Sequence, residues 1–229
     1  MLKNQTINLK VVEKVAHSLE ELNKDVVYIG GAVVSLYVTD EGAELPRPTK
    51  DIDISVQIST YAEMDDLRKK LANKNIHPAI SEKVMLRYTL KDILIDFIPY
   101  EPTPLGPTNT WLKQGFKKAF PVQIGKEEIK ILPVSLFLAT KWEACKNRGN
   151  DFRISPDFED IIYIIDNNLN VVNDTKAADK KVRDYLKEMS YEIMNHDSRN
   201  EIIECHINPH AAEDRRKIVT NKLEEIINL

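Results

Sequence analysis

The apolar positions along the chain divide it in two. From Leu9 to Leu22, Val12, Val15, Ala16, Leu19 and Leu22 recur at intervals of three and four, which places them on one face of a helix. Val26-Val27-Tyr28-Ile29 reads as a short strand that ends at Gly30-Gly31, and residues 32–38 can open a helix. Asp40 to Pro48, with Gly42, Pro46 and Pro48, reads as a loop. Residues 52–57 alternate as a strand, and residues 61–73 form a helix with the basic end Arg68-Lys69-Lys70. Val84 to Leu90 and Ile93 to Ile98 predict a hairpin turning at Lys91-Asp92. Pro102, Pro104, Gly106 and Pro107 make residues 101–110 irregular, and Pro121–Ile124 pairs with Glu128–Leu132 around Gly125-Lys126. From Pro133, which suits the first turn of a helix, the pattern is helical to the end. The expectation is an α+β organisation, with residues 1–132 as one domain and residues 133–229 as a C-terminal helical domain. No internal repeat or low-complexity tract stands out.

The chemistry concentrates in the first half. In Thr49-Lys50-Asp51-Ile52-Asp53-Ile54, acids alternate with isoleucines. Successive side chains of a strand point to opposite faces, so Asp51, Asp53 and Ser55 share one face while Ile52, Ile54 and Val56 pack on the other. Two carboxylates roughly 7 Å apart along a strand repel unless a cation lies between them, and Mg²⁺ takes hard oxygen ligands such as these together with substrate phosphates. Asp96 stands inside Ile93-Leu94-Ile95-Asp96-Phe97-Ile98, where an acid is costly to bury without a partner. The glycines let a backbone approach a ligand closely, and backbone N–H groups at a helix start favour phosphate. Taken singly, Gly-Gly marks a turn, Asp-Ile-Asp an edge strand with a solvated face, and Asp96 an acid paired with an arginine. Their ordered combination is far more specific than its parts.

Gly30-Gly31, followed by Pro46-Arg47-Pro48-Thr49-Lys50-Asp51-Ile52-Asp53 and then Asp96, resembles the nucleotidyltransferase superfamily of the DNA polymerase β type. More narrowly, it is similar to the AbiEii/AbiGii-type toxin nucleotidyltransferases of bacteria. The resemblance covers roughly residues 25–165. It implies a small mixed β-sheet nucleotidyltransferase core flanked by helices, followed by the helical region. It also implies that Gly30 and Gly31 touch the triphosphate, that Asp51 and Asp53 hold Mg²⁺ (or Mn²⁺), and that Asp96 completes the metal site and activates the attacking hydroxyl. Thr49 and Lys50, beside the acids, and Ser35, one helical turn beyond Gly31, join the nucleotide-binding set; no serine directly follows Gly30.

The helical half holds a second constellation. Lys141 and Arg148 are seven apart on one helix face, and Ser155-Pro156 predicts an N-cap and first turn ahead of Asp157 and Asp160. The resemblance gives Lys141 a contact to the triphosphate. The two acids either order Lys141 or Arg148, or simply suit the start of a helix. Arg87 reaches a phosphate or pairs with an acid. Lys113, Lys117 and Lys118, with Trp111 and Phe116, are either a stacking clamp for a nucleic-acid end or a solvated loop. Cys205, His206 and His210 fall short of the three or four convergent ligands zinc takes. His17 reads as solvated, and Arg215-Arg216-Lys217 as the outer face of a last helix.

Composition narrows the setting. Of 229 residues, 42% are hydrophobic, enough for a real core. No apolar run approaches the ~20 residues that span a membrane, and Met1-Leu2-Lys3-Asn4-Gln5 has no secretory apolar stretch. Cys145 and Cys205 make no disulfide framework, so the expected location is the reducing cytoplasm. A net charge of −4 argues against a general nucleic-acid coat, though not against a local basic groove. The expected reaction moves a nucleoside monophosphate from an NTP to a hydroxyl acceptor with loss of pyrophosphate. For the acceptor, the resemblance points to a tRNA 3′ end or a protein hydroxyl in a toxin held by a cognate antitoxin. The alternatives are an aminoglycoside-like small molecule, or a non-catalytic nucleotide-binding module on the same fold.

Overall fold

The computed structural model describes residues 4–79, 86–104, 108–149 and 151–229, and only the backbone of residues 4–8. It divides into two compact units, residues 1–33 with 47–133, and residues 34–46 with 134–229. The first unit runs α1 (Asn4–Leu19), β1 (Val26–Ile29), β2 (Asp51–Val56), α2 (Tyr61–Ala72), β3 (His77–Pro78), β4 (Arg87–Leu90), β5 (Ile93–Pro99), α3 (Leu112–Lys118), β6 (Phe120–Ile124) and β7 (Glu127–Ile131). Among the described residues its sheet has seven strands in the order β3-β4-β5-β2-β1-β7-β6. The β2–β5 and β1–β7 pairs are parallel and the others antiparallel, so the sheet is mixed.

The helical spacing of α1 is realised: Val12, Val15, Ala16 and Leu19 are fully buried. A 3₁₀ turn over Glu20–Asp25 follows. There the Asn23 side chain donates to the Glu128 carbonyl at 2.8 Å and accepts from the Tyr28 hydroxyl at 2.8 Å. The fully buried Tyr28 therefore has its polar end satisfied. β1 is buried along its whole length, as a central strand must be. The β4–β5 hairpin turns at Lys91, whose φ of +57° is the left-handed conformation such turns need. The predicted hairpin reached back to Val84, but Val84 and Met85 lie outside the described residues. So do residues 105–107 of the expected irregular stretch.

One expectation is corrected here. Residues 112–118 form a helix rather than a solvated loop. Its aromatic neighbours are drawn inward, with Trp111 buried and the Phe116 ring stacked on Tyr100 at 4.8 Å. Lys113 pairs with Glu101 at 3.0 Å.

The second unit is helical: α4 (Val134–Arg148), α5 (Pro156–Asn167), α6 (Val171–Ala177), α7 (Lys180–Met194), α8 (Arg199–Glu204) and α9 (Ala212–Ile227). Every residue of α4 from Val134 to Trp142 is buried, the mark of a central helix. Ser155 caps α5, accepting from the Phe158 N–H, with Pro156 in the first turn.

A single cut near residue 133 misses one segment, residues 34–46, which cluster with these helices. The Thr39 and Asp40 N–H groups donate to the Asn167 carbonyl at 3.1 and 3.0 Å, and the Tyr37 ring lies 4.6 Å from Phe137. Arg215 bridges Asp40 and Asp166 at 3.2 and 2.9 Å. It is half-buried inside this network rather than on an outer face. Burial pushes the Asp166 carboxyl up, against the pull of Arg215. Lys222 donates to the carbonyls of Ile165, Asp166 and Asn168, where the end of α5 favours a cation.

The start of α2 gives a direct test of the local reading. Thr60 and Glu63 form a capping box, the Thr60 hydroxyl accepting from the Glu63 N–H and the Glu63 carboxylate accepting from the Thr60 N–H. Thr60→Ala is expected to lose about 1 kcal/mol in urea unfolding, and an unchanged midpoint would contradict the cap.

Candidate functional site

Strand register assembles the site within the first unit. Ile29 lies opposite Asp53 on the antiparallel β1–β2 pair, Asp53 beside Asp96 on the parallel β2–β5 pair, and Asp96 opposite Arg87 on the antiparallel β4–β5 pair. Residues in register share a face, so Ile29, Asp53, Asp96 and Arg87 form one row across four strands. Asp51 lies two residues along the same face. Neighbouring strands are about 4.8 Å apart, so Asp53 and Asp96 are like charges at close quarters. The opposite face carries Ile52, Ile54, Ile95 and Phe97, all buried. The apolar packing on that side fixes the direction of the carboxylates.

The glycine turn closes over this row. Gly30 has φ +76°, and a Cβ placed there would stand 1.9 Å from Asp53 Oδ2. The Asp53 carboxylate thus lies directly against the Gly30 backbone, a contact no other residue permits. A Cβ at Gly31 would stand 2.6 Å from Thr49 Cγ2 and 3.0 Å from Arg47 Nη2. Thr49 Oγ1 donates to the Asp51 carbonyl at 3.1 Å, tying the approach loop to the start of β2. Lys50 is exposed, and with Thr49, Asp51 and Asp92 it lines a recess of about 170 Å³. A larger recess in this unit, about 420 Å³, lies at the other end of the sheet, by Val26 and Val56.

Arg87 dominates the electrostatics. Its Nε donates to Asp96 Oδ1 at 2.7 Å and its Nη2 to Asp96 Oδ2 at 2.7 Å, a bidentate pair. The same Nη2 reaches Asp51 Oδ2 at 3.1 Å. All three groups are largely shielded, with side-chain exposures of 17% for Arg87, 13% for Asp96 and 32% for Asp51. Sequence reading left Arg87 open between an acid and a phosphate, and here it holds two acids. Hard carboxylate oxygens on one face are the right donor chemistry for Mg²⁺ or Mn²⁺. With the guanidinium among them they are not a ready cage, and no group of three or more His, Cys, Asp or Glu among the described residues is arranged to hold a metal ion.

The remaining nucleotide-binding candidates, Ser35 and Lys141, fall in the second unit. Ser35 is buried there, and its hydroxyl has no hydrogen-bond partner among the described residues. Lys141 is buried between Asp157 at 3.2 Å and Asp160 at 2.7 Å, and Arg148 also pairs with Asp157. The two acids order both cations, the first of the alternatives weighed for them. His206 Nε2 lies 2.7 Å from the Phe152 carbonyl, so its ring nitrogen is engaged by backbone. His17 is exposed, with its Nδ1 2.9 Å from Glu127. The residue that sequence reading passed over is Arg47, whose guanidinium packs at Gly31; its place two residues before Thr49 was the available signal.

The mixed sheet flanked by helices is a nucleotidyltransferase-like fold. Among solved structures, an antigenic nucleotidyltransferase-like protein from Paracoccidioides brasiliensis aligns at TM-score 0.53 and 16% identity, covering 90% of this chain and 95% of its own. JHP933 from Helicobacter pylori aligns at TM-score 0.49 and 13% identity over 94% of this chain and 90% of its own. No family model and no curated protein matches the sequence. Among the described residues no helix is long and apolar enough to cross a membrane.

Two substitutions test this geometry. Gly30→Ala is expected to cost about 1–2 kcal/mol from its left-handed backbone alone, and more from the contact with Asp53. A variant as stable as wild type in urea would contradict that packing. Lys141→Ala leaves two buried carboxylates without their shared ammonium and is expected to cost about 3–5 kcal/mol. A small loss would show that Lys141 is not what neutralises them.

Proposed function

We propose that the chain is a metal-dependent nucleotidyltransferase. The observation that carries the reading is the placement of Asp51, Asp53 and Asp96 on one sheet face, with Asp53 against the Gly30 backbone. Acids and a glycine turn are thereby brought to one place, which supports a site for a triphosphate and a divalent cation together. The likeness of the fold to a nucleotidyltransferase-like protein supports the same reading.

In this reading the phosphates meet the Gly30-Gly31 turn, as the resemblance implies; the space a side chain would fill is taken by Asp53 at Gly30 and by Thr49 and Arg47 at Gly31. Thr49 and Lys50, at the entry to β2, complete the phosphate side. Asp51, Asp53 and Asp96 would hold Mg²⁺ or Mn²⁺, which supplies neutralising charge on the phosphates as the leaving pyrophosphate forms. Asp96 takes the proton of the acceptor hydroxyl, whose oxygen attacks the α-phosphorus in line. The bond to the bridging oxygen breaks, and a nucleoside monophosphate ester remains on the acceptor. For the acceptor we take the class the toxin resemblance implies, the 3′ end of a tRNA or a protein hydroxyl, with an antitoxin as the restraining partner.

The test is transfer of label from each α-labelled NTP, with Mg²⁺, to total tRNA and to lysate protein. Wild type should label one acceptor class. Asp51→Asn and Asp96→Asn should each lower the rate by at least about 100-fold, the scale of a lost acid–base or metal-binding group, while the far-ultraviolet circular dichroism stays unchanged. Equal rates in wild type and both variants would refute the assignment.

A further inference from the structure

Asp51 and Asp96 both accept from one atom, Arg87 Nη2, at 3.1 and 2.7 Å. The two carboxylates therefore converge on a single point, and that point is taken by a guanidinium nitrogen. The geometry points to Arg87 as the resident counter-ion of the acid row, holding the position a divalent cation would need, so that a cation binds only as Arg87 withdraws. This inference rests on the metal-site reading above and adds a regulation to it.

The fold makes such an occupant both necessary and replaceable. Adjacent strands set Asp53 and Asp96 side by side with Asp51 close along the face, and carboxylates so placed repel one another when no cation is present. Arg87 sits cross-strand from Asp96, so its backbone stays in register whichever way its side chain turns. Its forked donors suit a bidentate carboxylate contact, and Nη2 extends past Asp96 to Asp51 on the next strand but one in the sheet order. A guanidinium offers only hydrogen bonds, whereas Mg²⁺ draws carboxylate oxygens to about 2.0–2.1 Å. Both cannot occupy the same point. Cation binding must break the contacts of Arg87 with Asp51 and alter those with Asp96, and the intrinsic affinity of the acids for the cation is lowered by that amount.

The experiment is Mn²⁺ binding to the full chain without nucleotide, followed by electron paramagnetic resonance or calorimetry. Arg87→Gln removes the competing charge and is expected to bind Mn²⁺ about tenfold or more tightly than wild type, the scale of a lost charge-assisted hydrogen bond. Its melting temperature should fall without Mn²⁺ and rise further than that of wild type when Mn²⁺ saturates. Should Arg87→Gln fail to fold, Arg87→Lys serves instead. It keeps the charge but not the fork, and should bind Mn²⁺ more tightly than wild type by a smaller factor. Equal or weaker affinity in the folded variant, with wild-type binding abolished by Asp51→Asn, would overturn the inference and leave the metal site standing. Absence of Mn²⁺ binding in both wild type and the folded variant would overturn the inference together with the metal-site reading.

Discussion

Asp53 and Asp96 stand side by side on adjacent parallel strands, and Asp51 lies on the same face two residues along. Much of the first unit is arranged around the cost of that crowding. Like charges on neighbouring strands, partly screened from water, repel more strongly than they would in solution, so the sheet must supply counter-charge, an opening to solvent, or both. It supplies Arg87 through the pairing of β4 with β5, and at Gly30 the absent side chain leaves room for the Asp53 carboxylate. The isoleucines behind the acids provide the packing that holds the row against its own repulsion.

The second unit handles buried charge differently. Lys141 lies between Asp157 and Asp160, and Arg215 bridges Asp40 and Asp166. Lys141 is enclosed with its acids, Arg215 is half-buried with its own, and Lys222 is spent on the carbonyls at the end of α5. These networks tie helices and the 34–46 segment to one another, and breaking one leaves an uncompensated charge inside the protein. In the acid row of the first unit Arg87 and Asp96 are shielded to a similar degree, and Asp51 is about a third exposed.

The sequence was most legible where a period sets direction. The alternation in Asp51 to Val56 placed the acids on one face and the isoleucines on the other, and the strand carries them so, starting one residue earlier than expected. The three- and four-residue spacing in Val12, Val15, Ala16 and Leu19 gave a buried helix face, and Ser155-Pro156 gave a capped helix start. Legibility failed for residues whose fate depends on a distant partner. Arg215 is drawn inward by Asp40 and Asp166, which are far from it in sequence, and Trp111 is packed away although its lysine neighbours suggested a surface. Residues 34–46 gave no local sign of the unit they join, because their hydrogen bonds run to Asn167 and Asn168, far along the chain.

The sequence by itself determined most of the elements, the facing of Asp51 and Asp53, and the need for a glycine turn, because these follow from side-chain periodicity and from the conformations a single residue can adopt. Only the tertiary structure decided that Asp96 lies in register with Asp53, that Arg87 reaches across β5 to Asp51, and that Lys141 is enclosed by Asp157 and Asp160. Strand order and register are set by which strands pair, a choice that balances burial and charge over the whole sheet. No local run of residues carries that information.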